Sequence, residues 1–280
     1  MKQIARIKAF FLQELAFFLG VPSFLWHLVF LYLPLGLMVL FSFSHIDAYF
    51  PLFDVPYFKI IARSVVLAVV NSLICLFCAY PIAYCLALYV RRWKNVLLFL
   101  LMLPFWMSFL VQLYSWFMLL DRYGLLNNLL LRLRIIGEPI RILNTPFAVY
   151  LLMLYCYLPF MVLPIYSVLE KLDRRLLESS MDLGAGWWYT LTRITLPLSA
   201  SGIKTGIFLV LVPSFGEFVI PLLVGGGKQM YVGSLISYFF IETRSIFLGA
   251  AFTCLSGFVL FVSIAILSLL LRKLFGKDRV

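Results

Sequence analysis

Charge is scarce in this chain, and acid is scarcer than base. Of 280 residues only 12 are Asp or Glu, against 23 Lys or Arg and 2 His. Carboxylates so few and so scattered exclude a paired acid–base site. His27 and His45 are far apart in the sequence and read as interfacial side chains rather than metal ligands or a proton relay. No H-E-x-x-H pair and no G-x-S-x-G elbow is present. Gly225-Gly226-Gly227-Lys228 lacks the first glycine of a phosphate loop, the Ser/Thr after the lysine and a strand before it, so it reads as an outer hairpin. Cysteine is also sparse and odd in number: Cys75, Cys78, Cys85, Cys156 and Cys254 all lie in apolar runs, which argues against a disulfide framework. Cys75 and Cys78 have metal-like spacing but no second ligand pair, and packing is the simpler use. No catalytic residue, no metal site and no cofactor of its own are expected for this chain.

What the sequence has instead is grease. Hydrophobic residues make up 64% and charged residues 12%, with a mean hydropathy of +1.04. Soluble domains run near 45–50% and about 25%, so this is an integral membrane protein, expected to be all-α from the long apolar runs that follow. The net charge of +11 does not suggest nucleic acid, because the basic residues flank apolar runs rather than lining one polar face. After an N-terminal cytoplasmic or interfacial segment, 1–20, six runs long enough to span a bilayer follow, at roughly 21–43, 64–90, 96–120, 147–169, 203–224 and 247–271. They form one membrane domain, 21–271, with a cytoplasmic tail at 272–280. With the N-terminus inside, the tail, the 91–94 turn, the 170–201 loop with Lys204, and the C-terminus carry 15 of the 23 basic residues. The positive-inside rule then places both termini and the 170–201 loop in the cytoplasm.

That loop holds a polar island, Glu178 to Pro197, that cannot lie in hydrocarbon. Leu176, Leu177, Met181 and Leu183 recur near helical spacing before Gly184 and Gly186 interrupt; Trp187, Trp188, Leu191 and Ile194 then stripe a second short helix. Periodicity alone suits an amphipathic linker on the membrane surface equally well. The spacing adds more: Glu178, Gly184, Ile194, Leu196 and Pro197 resemble the EAA motif of ABC importer permeases, E-A-A-x3-G-x9-I-x-L-P, with Ser179 and Ser180 for the two alanines. The resemblance implies the six-span type I ABC importer permease fold, with a coupling helix docked in a cleft of a cytoplasmic ATPase. Asp182 and Ala185 fall in the same stretch, and Gly184 would sit at its turn.

The fifth run carries the one acid within hydrocarbon, Glu217, between Pro213 and Pro221. Each proline withholds an N–H, freeing the carbonyls of Leu209 and Glu217, and unpaired backbone at membrane depth faces protein or a wet cavity. Glu217 is either the partner of an arginine on a neighbouring helix or an attractor of cationic substrate. Trp106, Tyr114, Trp116, Tyr155 and Tyr157 serve either packing and interfacial belts or cation–π contacts to ammonium groups.

The runs 103–116, 158–185 and 212–226 resemble spermidine/putrescine permeases, specifically the first permease subunit of the pair. Met107 and Gln112 depart from the Thr and Arg often found there, leaving Glu217 one fewer positive partner. The resemblance implies a multi-pass protein of the bacterial inner membrane that works with an ABC ATPase dimer, which holds the ATP, a second homologous permease and an external substrate-binding protein. Its substrate path would include Glu217, Gln112 and the five aromatic residues. Other solutes (sulfate, molybdate, iron, amino acids) are the alternative cargo. A channel or secondary transporter needs no ATPase but more often shows paired broken helices.

Overall fold

The computed structural model describes residues 20–275, all of whose regular elements are helical. The interfacial helix expected before Gly20, and the last five residues of the tail, lie outside the described residues.

Four helices are long and apolar enough to cross a membrane unaided: α1 (Gly20–Ser44), α2 (Val55–Leu88), α6 (Pro146–Leu169) and α12 (Ile246–Phe275). Two further spans are bent pairs. Helices α3 (Lys94–Trp106) and α4 (Phe109–Leu120), the latter followed by α5 (Leu125–Arg132), meet at 97°. Helix α8 (Trp187–Leu198) meets α9 (Ala200–Gly216) at 67°. The expected number of six is reached only when each bent pair counts as one span.

Three of the expected spans need correction. The second begins at Val55, not near residue 64: Pro56 sits at its start, and Lys59 and Arg63 are carried exposed on its first three turns. The third is not continuous over 96–120: α3 ends at Trp106, and Met107 and Ser108 are extended before α4 restarts. Pro104 supplies no N–H to the turn before it, which weakens the helix just where it stops. The fifth is not one rod from 203 to 224. Pro213 is accommodated inside α9, and the break comes at Glu217 and Phe218, before a short helix α10 (Val219–Leu223). Pro221 therefore lies within a separate helix, and the carbonyl it would deprive belongs to Glu217, already outside that helix.

The centre of the bundle is α2, α6 and α9, packed mutually. Cys75, Ala79, Ala83, Met161, Val162, Ile165, Ile203, Ile207 and Val210 fill the space between them. The approach of α9 to α6 is close enough that a Cβ on Gly202 would lie 2.7 Å from the Pro164 carbonyl, and one on Gly206 2.7 Å from the Met161 sulfur. Small residues allow this backbone contact where apolar burial gives little drive in lipid. Polar bonds hold α2 to its neighbours: Asn71 Nδ2 donates to Ser214 Oγ at 2.9 Å, joining α2 to α9, and Val232 N donates to Ser64 Oγ at 2.8 Å, joining helix α11 (Val232–Glu242) to α2. Helix α1 packs on α12, and none of its most apolar stretch is buried.

Candidate translocation site and coupling elbow

Between α6 and α8 the chain folds into the elbow foreseen from the sequence. Helix α7 (Arg174–Asp182) is capped by the Asp173 side chain, which accepts from Arg175 N at 3.0 Å. The chain then turns through Gly184 at φ +83°, a left-handed conformation that costs an L side chain about 1–2 kcal/mol. Leu183 N bonds Ser179 O, Gly184 N bonds Met181 O and Ala185 N bonds Ser180 O, so the turn closes α7 tightly. Glu178, Ser179, Asp182, Gly184 and Pro197 are exposed, while Ala185, Ile194 and Leu196 are half-buried. Ser180 differs: it is buried, and its hydroxyl lies 2.9 Å from that of Thr190 on α8. Sequence reasoning treated Ser180 as a small stand-in for alanine and missed this bond, whose partner is ten residues away. A recess of about 530 Å³ lies along the elbow, lined by Ser180, Leu183, Gly184, Ala185, Gly186, Tyr189 and Ile194.

The elbow is anchored to the bundle at its entry. Lys94, the first residue of α3, makes an ion pair with Glu170 just past α6 and lies 5.2 Å from the Tyr166 ring centroid. The ammonium beside it, with help from the Tyr166 hydroxyl, holds the Glu170 carboxyl below the usual carboxylate range. Arg174 Nη2 donates to the Ala87 carbonyl at 3.4 Å, at the end of α2.

At the break in the fifth span, Glu217 is 9% exposed and its carboxylate is fully engaged. Oε1 accepts from Val219 N at 3.0 Å and Ile220 N at 3.3 Å, the free N–H groups that open α10; Oε2 accepts from the Tyr157 hydroxyl at 2.7 Å. Three donors, one helix N-terminus and no guanidinium surround it, so the arginine partner considered from sequence is not what satisfies this acid among the described residues.

A cavity of about 260 Å³ opens at the break in the third span, lined by Pro104, Phe105, Met107, Phe109, Gln112, Cys156, Tyr157 and Phe160. Gln112 maintains that break: its Nε2 donates to the Pro104 carbonyl and, at 3.3 Å, to the Met107 carbonyl. Phe105 and Phe160 meet edge-on at 4.6 Å. The structure thus brings together Gln112, Tyr157 and, through Tyr157, Glu217. The other aromatic candidates are elsewhere: Trp106 is 74% exposed and packs on Phe99, Tyr114 lines a separate recess with Leu113, Phe117 and Leu223, and Trp116 and Tyr155 meet edge-on at 5.2 Å. Phe105, Phe109 and Phe160 went unremarked in the sequence because a phenylalanine in an apolar run carries no local signal.

The five cysteines are free, and no group of three or more metal-type ligands occurs among the described residues. His27 bonds Ser23 O, and the His45 ring lies tilted against Phe247 with centroids 4.0 Å apart. The glycine-rich turn 225–228 is tied back by Lys228 Nζ to the Asn144 carbonyl at 3.3 Å.

Comparison with known proteins agrees with this architecture. Residues 79–276 match the family model of the binding-protein-dependent transport system inner membrane component. The spermidine/putrescine transport system permease protein PotB of Escherichia coli K12 is 42% identical over 206 residues, covering 74% of this chain and 75% of its own. The protein of the same name from Haemophilus influenzae is 39% identical over 232 residues, 81% of each chain. Among solved structures, a bacterial ABC transporter involved in import of the acidic polysaccharide alginate superposes with a TM-score of 0.75 at 18% identity, covering 95% of this chain and 98% of that one. With a bent third span, a glycine-turned elbow between α6 and α9, and a family match over most of its length, this chain belongs to the binding-protein-dependent transport system inner membrane components, multi-pass permease subunits of ABC importers that translocate solute and are not themselves enzymes.

Proposed function

We propose that the chain carries polyamines of the spermidine/putrescine type across the inner membrane, with Glu217 as the counter-charge in the path. The carrying observation is a buried carboxylate at a helix break, one hydroxyl away from a cavity walled by Phe105, Phe109, Tyr157 and Phe160. An ammonium about 4 Å from such a carboxylate gains about 4 kcal/mol at an effective permittivity near 20, and aromatic faces add cation–π attraction. The methylene segments of a polyamine suit the apolar remainder of the wall. The relatives named for spermidine and putrescine support the same cargo.

In this reading ATP is bound by an ABC ATPase dimer whose cleft receives the elbow, with Glu178, Asp182 and the turn at Gly184 at the contact. A second, homologous permease completes the pathway, an external binding protein delivers the substrate, and both termini face the cytoplasm. The test is uptake into cells or vesicles that contain the whole transporter. Labelled spermidine should enter, excess putrescine should compete and excess sulfate should not. Competition by sulfate, for which Glu217 would be repulsive, sinks the assignment.

A further inference from the structure

Glu217 is the residue on which the proposed cargo depends, yet it is not available to that cargo in this conformation. Its carboxylate does not line the cavity; Tyr157 does, and Tyr157 is also the donor to Oε2. Oε1 is held by Val219 N and Ile220 N, a role it plays for α10 whatever the cargo. Oε2 has one donor at 2.7 Å, and that donor is neutral. A hydrogen bond from an ammonium to the same oxygen is charge-assisted and roughly twice as strong as one from a neutral hydroxyl. The Tyr157 hydroxyl is therefore a displaceable occupant of the position an ammonium would take.

The two partners of this bond sit on two particular elements. Tyr157 belongs to α6 and Glu217 ends α9, and these are the spans that the elbow joins directly. Any force on the elbow that tilts α6 relative to α9 acts on the Tyr157–Glu217 distance.

We propose that the Tyr157–Glu217 hydrogen bond is a latch: closed, it masks the carboxylate from the cavity, and relative movement of α6 and α9 opens it and hands Oε2 to a substrate ammonium. The masking role rests on the polyamine reading; the bracing of α6 against α9 does not. Cation affinity then follows the conformation of the permease, because the same bond that fixes the helices occupies the charge. Tyr157 is a positioning and gating residue, with its ring left as cavity wall in either state.

Tyr157→Phe removes the hydroxyl and keeps the ring. The measurements are equilibrium binding of labelled spermidine to the solubilised complex of permeases and ATPase without the binding protein, and ATP hydrolysis without substrate, with assembly read from co-purification. The expected result is spermidine binding tighter by roughly three- to tenfold, the worth of one competing hydrogen bond, and faster substrate-free hydrolysis. In a Glu217→Gln background the gain in binding should vanish, since no charge is left to unmask. A purely structural Tyr157 would instead weaken assembly and leave affinity unchanged, and unchanged affinity with unchanged hydrolysis overturns the latch. If the wild-type complex binds no spermidine while Tyr157→Phe still accelerates hydrolysis, the polyamine reading falls and the brace between α6 and α9 stands.

Discussion

The hydroxyls of Ser180 and Thr190 face each other at 2.9 Å across the elbow, both buried, and tie α7 to α8 directly above the turn at Gly184. In the EAA pattern this position is alanine, so the bond is an addition made within the motif rather than part of it. Its removal has a defined cost. Ser180→Ala leaves the Thr190 hydroxyl buried without its partner and should destabilise the elbow by about 1–3 kcal/mol, whereas Ser180→Ala with Thr190→Val removes both polar groups and should recover most of the loss. Thermal unfolding of the purified complex reads the cycle; equal loss in the single and double variants would argue that the bond does not hold the elbow.

At Gly184 the constraint is backbone rather than contact, because a Cβ there meets nothing within 4 Å but φ is +83°. Gly184→Val should insert and accumulate normally yet lose transport at least tenfold, with the ATPase either released or hydrolysing ATP idly. Uptake and hydrolysis measured on the same preparation decide it, and wild-type transport by a stably assembled variant would remove the turn from the coupling route.

Glu217→Gln keeps an acceptor for Val219 N and Ile220 N, so α10 should stay capped while the negative charge disappears. Spermidine uptake should fall by at least tenfold with co-purification of the ATPase unaffected. Undiminished uptake would return Glu217 to a purely structural part.

Gln112→Leu preserves volume but removes both bonds to the carbonyls of Pro104 and Met107. Two acceptors at the break lose their side-chain donor, and stability should drop by about 1–3 kcal/mol, seen as a lower unfolding temperature of the complex. An unchanged unfolding temperature would show that the bend is held by packing alone.

The Glu170 carboxyl is held below its ordinary range by Lys94. A depressed folded pKa means that the pair contributes stability above the unfolded pKa, near 4.3, and loses it as pH falls through the lower folded value. The unfolding temperatures of the wild type and Glu170→Gln should differ at neutral pH and converge in acid, with the gap shrinking in high salt because the pair is exposed. A gap that persists in acid would point away from the ion pair.

The legible parts of this molecule were those written locally. The elbow follows from glycines, a helical stripe and five spaced residues, and Glu217 stands out because an acid between two prolines is conspicuous in an apolar run. The break at Met107 and Ser108 was hidden because apolar residues continue on both sides of Pro104, and hydropathy does not register a change of direction. The destinations of Gln112 and Glu217 were hidden for another reason. One turns back on its own bend and the other finds a tyrosine sixty positions away, and which donor meets which acceptor is decided only when α6, α9 and the third span pack together.

The contact of Gly202 with the backbone of Pro164 and Ile165 leaves no room for even a methyl group between α6 and α9 at that level. Two rods pinned so tightly behave like tongs with a rivet near the grip: they do not slide, and leverage applied at the elbow is spent in spreading the far jaws. Tyr157 lies seven residues beyond Pro164 along α6, about 10 Å at 1.5 Å per residue, on the jaw side of that rivet. A bulkier residue at Gly202 would loosen the rivet, so that strokes of the motor would rattle the handles without parting the tips.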